Sequence, residues 1–178
     1  MRKRLLAIAA GLAIALGLAA CAGTPDIDPT PTLPTDADTD TDSWNPEDIL
    51  GNPDPALVAL VDQLYDGIPD VPMTESWELT PANAQSMIFI DFIEGSKGVI
   101  SQAMINVIPH ALVLLELPEG ADTAAVAAQI EANADPNKWI CTAAEKLGVF
   151  TSGRYIVMVM SDAATVDAIE AKVPAVLG

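Results

Sequence analysis

Tyr155-Ile156-Val157-Met158-Val159-Met160 is an unbroken apolar run, and Ala111-Leu112-Val113-Leu114-Leu115 is a second one. Neither alternates with polar residues, as a strand with one wet face would. Turn signals bound them: Ser152-Gly153 precedes the first, Pro109 precedes the second, and Pro118-Glu119-Gly120 closes the second. Both read as strands, and strands apolar on both sides need cover on both faces of their sheet. The helices that follow each strand pair are expected to cover one face. The other face falls to a helix near 55–66 and the segment 68–92, or to a partner. Cover from within the chain is the expectation.

Working outward, three helices are signalled by their caps. Asp54 precedes Pro55, and Leu57, Val61 and Leu64 form a stripe at helical spacing up to Asp66, with Gly67 closing. Asp122 caps Thr123 to about Ala134, with Val126, Ala127 and Ile130 facing in, and Asp162 caps a last helix on the stripe Val166, Ile169 and Val173. Pro174 is expected to disturb that helix. A short helix follows Thr80-Pro81 to about Ser86, and Met87–Ile93 is crowded with apolar residues and ambiguous. Residues 68–79, with Pro69 and Pro72, read as irregular. Further strands are expected at Val99–Ile108, within Trp139–Ala143, and at Leu147–Thr151. The order is a helix followed by two strand-strand-helix units. It predicts an α+β two-layer sandwich with a mostly antiparallel sheet of four to five strands.

The N-terminal end decides location. Met1-Arg2-Lys3-Arg4 is basic, and the charge-free apolar run Leu5–Leu18 suits a signal h-region while falling below the roughly 20 residues of a spanning helix. Leu18-Ala19-Ala20-Cys21 resembles the lipobox of bacterial lipoproteins. The resemblance implies diacylglyceryl transfer to Cys21, cleavage before it, and anchoring by fatty acyl chains such as palmitate. Two or more chains on one residue hold stably to a bilayer, without spanning it. The predicted organisation is a signal peptide at 1–20, a tether at 21–52 that begins with lipidated Cys21, and one globular domain at 53–178. The tether alternates Asp26, Asp28, Asp36, Asp38, Asp40 and Asp42 with Thr and Pro, a composition that cannot form a core. Asp36, Asp38, Asp40, Asp42 and Glu47 echo the ligand spacing of a calcium loop, but Thr41 stands where such loops need glycine. Loose attraction of divalent cations is expected instead. Trp44 to Leu50 reads as a short docking segment.

The chain carries 25 acids and 8 bases. Loss of Arg2, Lys3 and Arg4 leaves five bases, which argues against nucleic acid as a partner and favours cations or a basic envelope protein. With Cys21 acylated, Cys141 is the remaining thiol, so no disulfide framework forms.

Three stretches carry a further resemblance: Tyr65-Asp66-Gly67-Ile68-Pro69, His110-Ala111-Leu112-Val113-Leu114 and Asp135-Pro136-Asn137-Lys138-Trp139-Ile140-Cys141. Together they resemble an uncharacterised domain of lipoproteins from Gram-positive, Clostridia-type bacteria. The likeness implies a membrane-anchored extracytoplasmic domain and carries no activity. The candidate site residues are His110, Trp139 and Cys141. His110 is the one histidine and lacks paired ligands at zinc spacing, so it is expected to bond backbone. Cys141 reads as a small buried hydrophobe, and Trp139 as a core anchor after a turn. Gly95-Ser96-Lys97-Gly98 lacks the spacing of a nucleophile elbow or a phosphate loop and reads as a turn. No cofactor is implied. The leading expectation is a non-enzymatic, lipid-anchored binding or accessory module of the cell envelope, on the extracytoplasmic face. The alternatives are a small enzyme using Cys141 with His110, or a ligand-binding lipoprotein of a transporter.

Overall fold

A computed structural model of the chain describes residues 51–178. Cys21, the acidic tether, its calcium-like spacing and the Trp44–Leu50 stretch lie outside the described residues. The elements run α1 (Pro55–Tyr65), β1 (Thr74–Glu78), α2 (Ala84–Met87), β2 (Lys97–Ala103), β3 (Ala111–Glu116), α3 (Thr123–Asn133), β4 (Lys146–Ser152), β5 (Tyr155–Ser161) and α4 (Ala163–Leu177). The five strands form one antiparallel sheet in the order β1-β2-β3-β5-β4. This is the expected α+β class.

The two apolar runs lie side by side at its centre, Leu112 opposite Val159 and Leu114 opposite Val157. Side chains alternate across a strand, so each run serves two cores at once. Val113, Leu115, Ile156 and Met158 point to one face, where α3 supplies Ala127 and Ile130 and the segment after β1 supplies Leu79, Ile88 and Ile90. Leu112, Leu114, Val157 and Val159 point to the other, against Leu57, Val61 and Leu64 of α1 and Val166, Ile169 and Val173 of α4. The absence of polar alternation is thereby explained.

This division corrects the expected layering. The two later helices stand on opposite faces rather than together, so that helical cover flanks the sheet on both sides. α4 shares its face with α1, and α3 shares the other with α2 and the coil that follows it. Cover does come from within the chain.

The caps form as read. Asp54 accepts from the Ala56 N–H at 2.9 Å, Asp122 from Ala125 at 3.0 Å and Asp162 from Thr165 at 2.9 Å. The short helix α2 starts later than Thr80-Pro81 suggested, at Ala84, and the Thr80 N–H donates to Asn83 Oδ1.

Other expectations give way. β1 lies in the stretch read as irregular: Thr-Glu-Ser-Trp-Glu lacks alternation, yet as a sheet edge it pairs with β2 alone, Trp77 opposite Ile100. Met87–Ile93 is not a strand; Ile88 and Ile90 fill the core from coil, and Phe89 takes a positive φ of 61°. β2 stops at Ala103, whose N–H meets the His110 carbonyl, and Met104–Ile108 forms a projecting loop in place of more strand. Trp139–Ala143 is loop rather than strand. α4 continues through Pro174 to Leu177. The missing N–H falls in the last turn of this helix, where the remaining contacts of Val173 and Leu177 hold the chain on course.

Candidate functional site

Two clusters of polar and aromatic side chains stand out, one on each face of the sheet. The first surrounds His110. This residue precedes β3 and shares a face with Leu112, and its ring is fully buried. The Tyr65 hydroxyl lies 2.9 Å from its Nε2, and Ser161 Oγ lies 2.9 Å from its Nδ1. Ser161 donates in turn to Asp162 Oδ2 at 3.2 Å. One proton arrangement satisfies all three links. Tyr65 O–H donates to Nε2, Nδ1–H donates to Ser161, and Ser161 O–H donates to the Asp162 carboxylate.

Burial governs the charge of these groups. It pushes the imidazole down to about 4, against a smaller upward pull from Asp162, so the ring is neutral in the folded protein. Burial pushes the Tyr65 phenol up, and the nearby Ser101 hydroxyl pulls weakly the other way. Ser101 Oγ makes no hydrogen bond of good geometry, so the link to Tyr65 is an electrostatic influence only. Asp162 is held below the usual carboxylate range, first by the Thr165 hydroxyl. The chain of bonds ties α1, the β3 entrance, the β5 end and the α4 cap together. The Ser161 proton is committed to Asp162 and the serine is buried, so the cluster acts as an internal brace.

The second cluster is an open cleft of about 610 Å³ on the opposite face. Trp139 forms part of its wall and is nearly buried in the core. Met87, Phe89, Val107 and Ile140 supply apolar surface, while Gln102, Lys138 and Cys141 bring polar atoms. The turn that sets the 135–141 loop is read directly from its residues. Asp135 Oδ1 accepts from the Asn137 N–H at 2.9 Å, and the Asp135 carbonyl accepts from Lys138 N–H at 3.1 Å. Trp139 then packs inward while Ile140 stands fully in solvent. Lys138 Nζ lies 5.3 Å from the Trp139 ring centroid and 3.6 Å from Met87 Sδ. Burial pushes its ammonium down to about 8.

The rim is unusually apolar for a protein this acidic. Met104, Ile105, Val107 and Ile108 project from the β2–β3 loop, and Met73, 80% exposed, adjoins them through its carbonyl to Met104 N–H. Of these, Val107 lines the cleft with Ile140, while Ile108 borders a separate hollow beside Ser161 and Asp162.

Comparison with protein-family models, with curated proteins and with solved structures finds no match for this chain.

The geometry of the two clusters separates the sequence candidates. Trp139 and Cys141 meet in the cleft, and His110 stays on the other face with both ring nitrogens taken by Tyr65 and Ser161. The structure does not bring Cys141 and His110 together as a dyad. Two expectations are corrected. His110 bonds side chains rather than backbone, because α1 and β5 place the Tyr65 and Ser161 hydroxyl groups against its ring. Cys141 is exposed rather than buried, because its strand does not form and the loop turns it outward. Among the described residues no three of His, Cys, Asp and Glu converge to hold a metal ion.

Residues missed by sequence reading are Met87, Phe89, Gln102 and Val107. The only signal for Met87 and Phe89 was the apolar crowding of Met87–Ile93, and Gln102 and Val107 carried none, since both lie in the stretch Val99–Ile108 read as strand.

Proposed function

We propose that the protein is a lipid-anchored module on the outer face of the cytoplasmic membrane, where its globular domain binds an envelope component without catalysis. The anchor rests on Leu18-Ala19-Ala20-Cys21 and on the resemblance to Clostridia-type lipoproteins. The observation that carries the binding role is the Trp139 cleft with exposed Ile140 and Val107 in its wall. Ile140 and Val107 belong to neither core.

Two measurements bear on the reading. Cys21→Ala should leave the chain unprocessed or release it from the membrane, read by fractionation and intact mass. Normal cleavage with detergent-dependent retention would contradict the lipid anchor. For the binding role, a photo-crosslinking amino acid at Ile140 in intact cells should give a discrete adduct. The same group at exposed Gln129 on α3 should not. Equal, diffuse labelling from both positions would sink the binding reading.

A further inference from the structure

Five bases fall within residues 51–178, and four of them have oxygen acceptors. Lys97 pairs with Asp54, Lys146 with Asp167 and Arg154 with Glu116. Lys172 donates to the backbone carbonyls of Gln63 and Asp66. Lys138 differs. Its neighbours are the Met87 thioether and the face of Trp139, and no carboxylate or carbonyl reaches it among the described residues. In a domain with such an excess of acids, this ammonium has no carboxylate within pairing distance among the described residues.

The wall of the same cleft holds a second unanswered group. Gln102 Oε1 is buried and has no hydrogen-bond partner, although the rest of the residue borders the open volume. A buried amide oxygen without a partner costs on the order of 1–3 kcal/mol, and a donor in the cleft reaches it only if the side chain turns outward. Phe89 adds a third sign: its left-handed backbone turns an aromatic ring toward this space at a conformational cost.

From these features we infer that the cleft takes a small apolar molecule ending in a carboxylate. The carboxylate sits on Lys138 Nζ and the apolar body lies among Trp139, Phe89, Val107 and Ile140. A bonded carboxylate supplies the counter-charge that the half-buried ammonium lacks, in surroundings where a charge-assisted bond is strong. The volume admits a body of aromatic or medium-chain size. The acidic surface repels anions at long range, so recognition depends on contact within the cleft and not on steering. This inference rests on the binding role proposed above and specifies its chemistry.

The test uses the full lipidated chain in membranes and reads the alkylation rate of Cys141, which lines the same cleft. 4-Phenylbutanoate is compared with 4-phenylbutan-1-ol, its neutral counterpart. The carboxylate should slow iodoacetamide labelling at a concentration at least about tenfold lower than the alcohol. Lys138→Gln should shrink that margin to within about twofold while leaving protection by the alcohol in place. Lys138→Met, which keeps the aliphatic stem, should do the same and so exclude a packing effect. Equal protection by acid and alcohol, or a margin that survives both substitutions, would overturn the assignment of the carboxylate. Protection by neither compound would overturn it as well. In each of these cases the binding role itself is still decided by the Ile140 crosslink.

Discussion

His110→Ala should lower stability at pH 7 by on the order of 3–4 kcal/mol and flatten its dependence on pH between about 4 and 6.5. The substitution leaves a cavity in a fully buried site and strips the Tyr65 hydroxyl and Ser161 of a partner. The pH effect follows from the neutral imidazole. In the unfolded chain a histidine titrates near 6.5, and burial in the native state pushes it down to about 4. Between those values the unfolded chain holds a proton that the native protein does not. Stability is therefore complete above about pH 6.5 and falls as pH drops through the window, by up to about 3 kcal/mol. The depressed carboxyl of Asp162 acts at lower pH: its contribution is present above the ordinary carboxylate value and is lost below it. Urea titrations at pH 4.5, 5.5, 6.5 and 7.5 check both parts. Subtracting the variant from the wild type removes the general discharge of the acidic surface. A difference that stays constant across the series would refute the buried, neutral histidine.

Leu64→Ala should cost about 3–4 kcal/mol, because it removes a fully buried side chain from the helix that covers half of one sheet face. Leu64 belongs to the same core cluster as Leu57, Val61, Leu112, Leu114 and Val157. A cavity there lies within that core. The midpoint of thermal unfolding should fall by roughly 10 °C for a domain of this size. Asp62→Ala, on the wet side of the same helix, should change stability by less than about 0.5 kcal/mol. Near-neutral behaviour of Leu64→Ala would mean that α1 is dispensable as cover, and the two-sided core would need another explanation.

Several features were legible because they are local. An aspartate before a helical stripe caps it wherever the helix later packs, as Asp54, Asp122 and Asp162 do. An apolar strand without alternation demands two covered faces regardless of what covers them. The edge strand β1 was not legible, since Thr74–Glu78 gains its order from pairing with β2 and not from its own pattern. The same holds in reverse for Met104–Ile108, which looked like strand because of its apolar residues. The pairing that would have continued it ends where the Ala103 N–H meets the His110 carbonyl.

The candidate site divides in the same way. Trp139 and Cys141 came into view from a distinctive local motif, and the Asp135–Asn137 turn explains the loop that holds them. Lys138 was read only as part of that turn. Its isolation from the carboxylates of the described residues is a relation to distant positions, visible once Asp54, Glu116 and Asp167 are seen with their own bases. His110 likewise acquired its partners from α1 and β5, which lie 45 and 51 residues away.

The amino-acid sequence by itself thus determined the α+β class, the caps, the need for cover on both faces, and the acidic balance of the chain. Each depends on short-range chemistry or composition. Only the tertiary structure decided which helix covers which face, placed His110 and Cys141 on opposite sides of the sheet, and left Lys138 at an apolar cleft without an oxygen partner among the described residues. Those outcomes depend on which residues far apart in the chain come within a few ångströms, and burial and pairing energies are set only there.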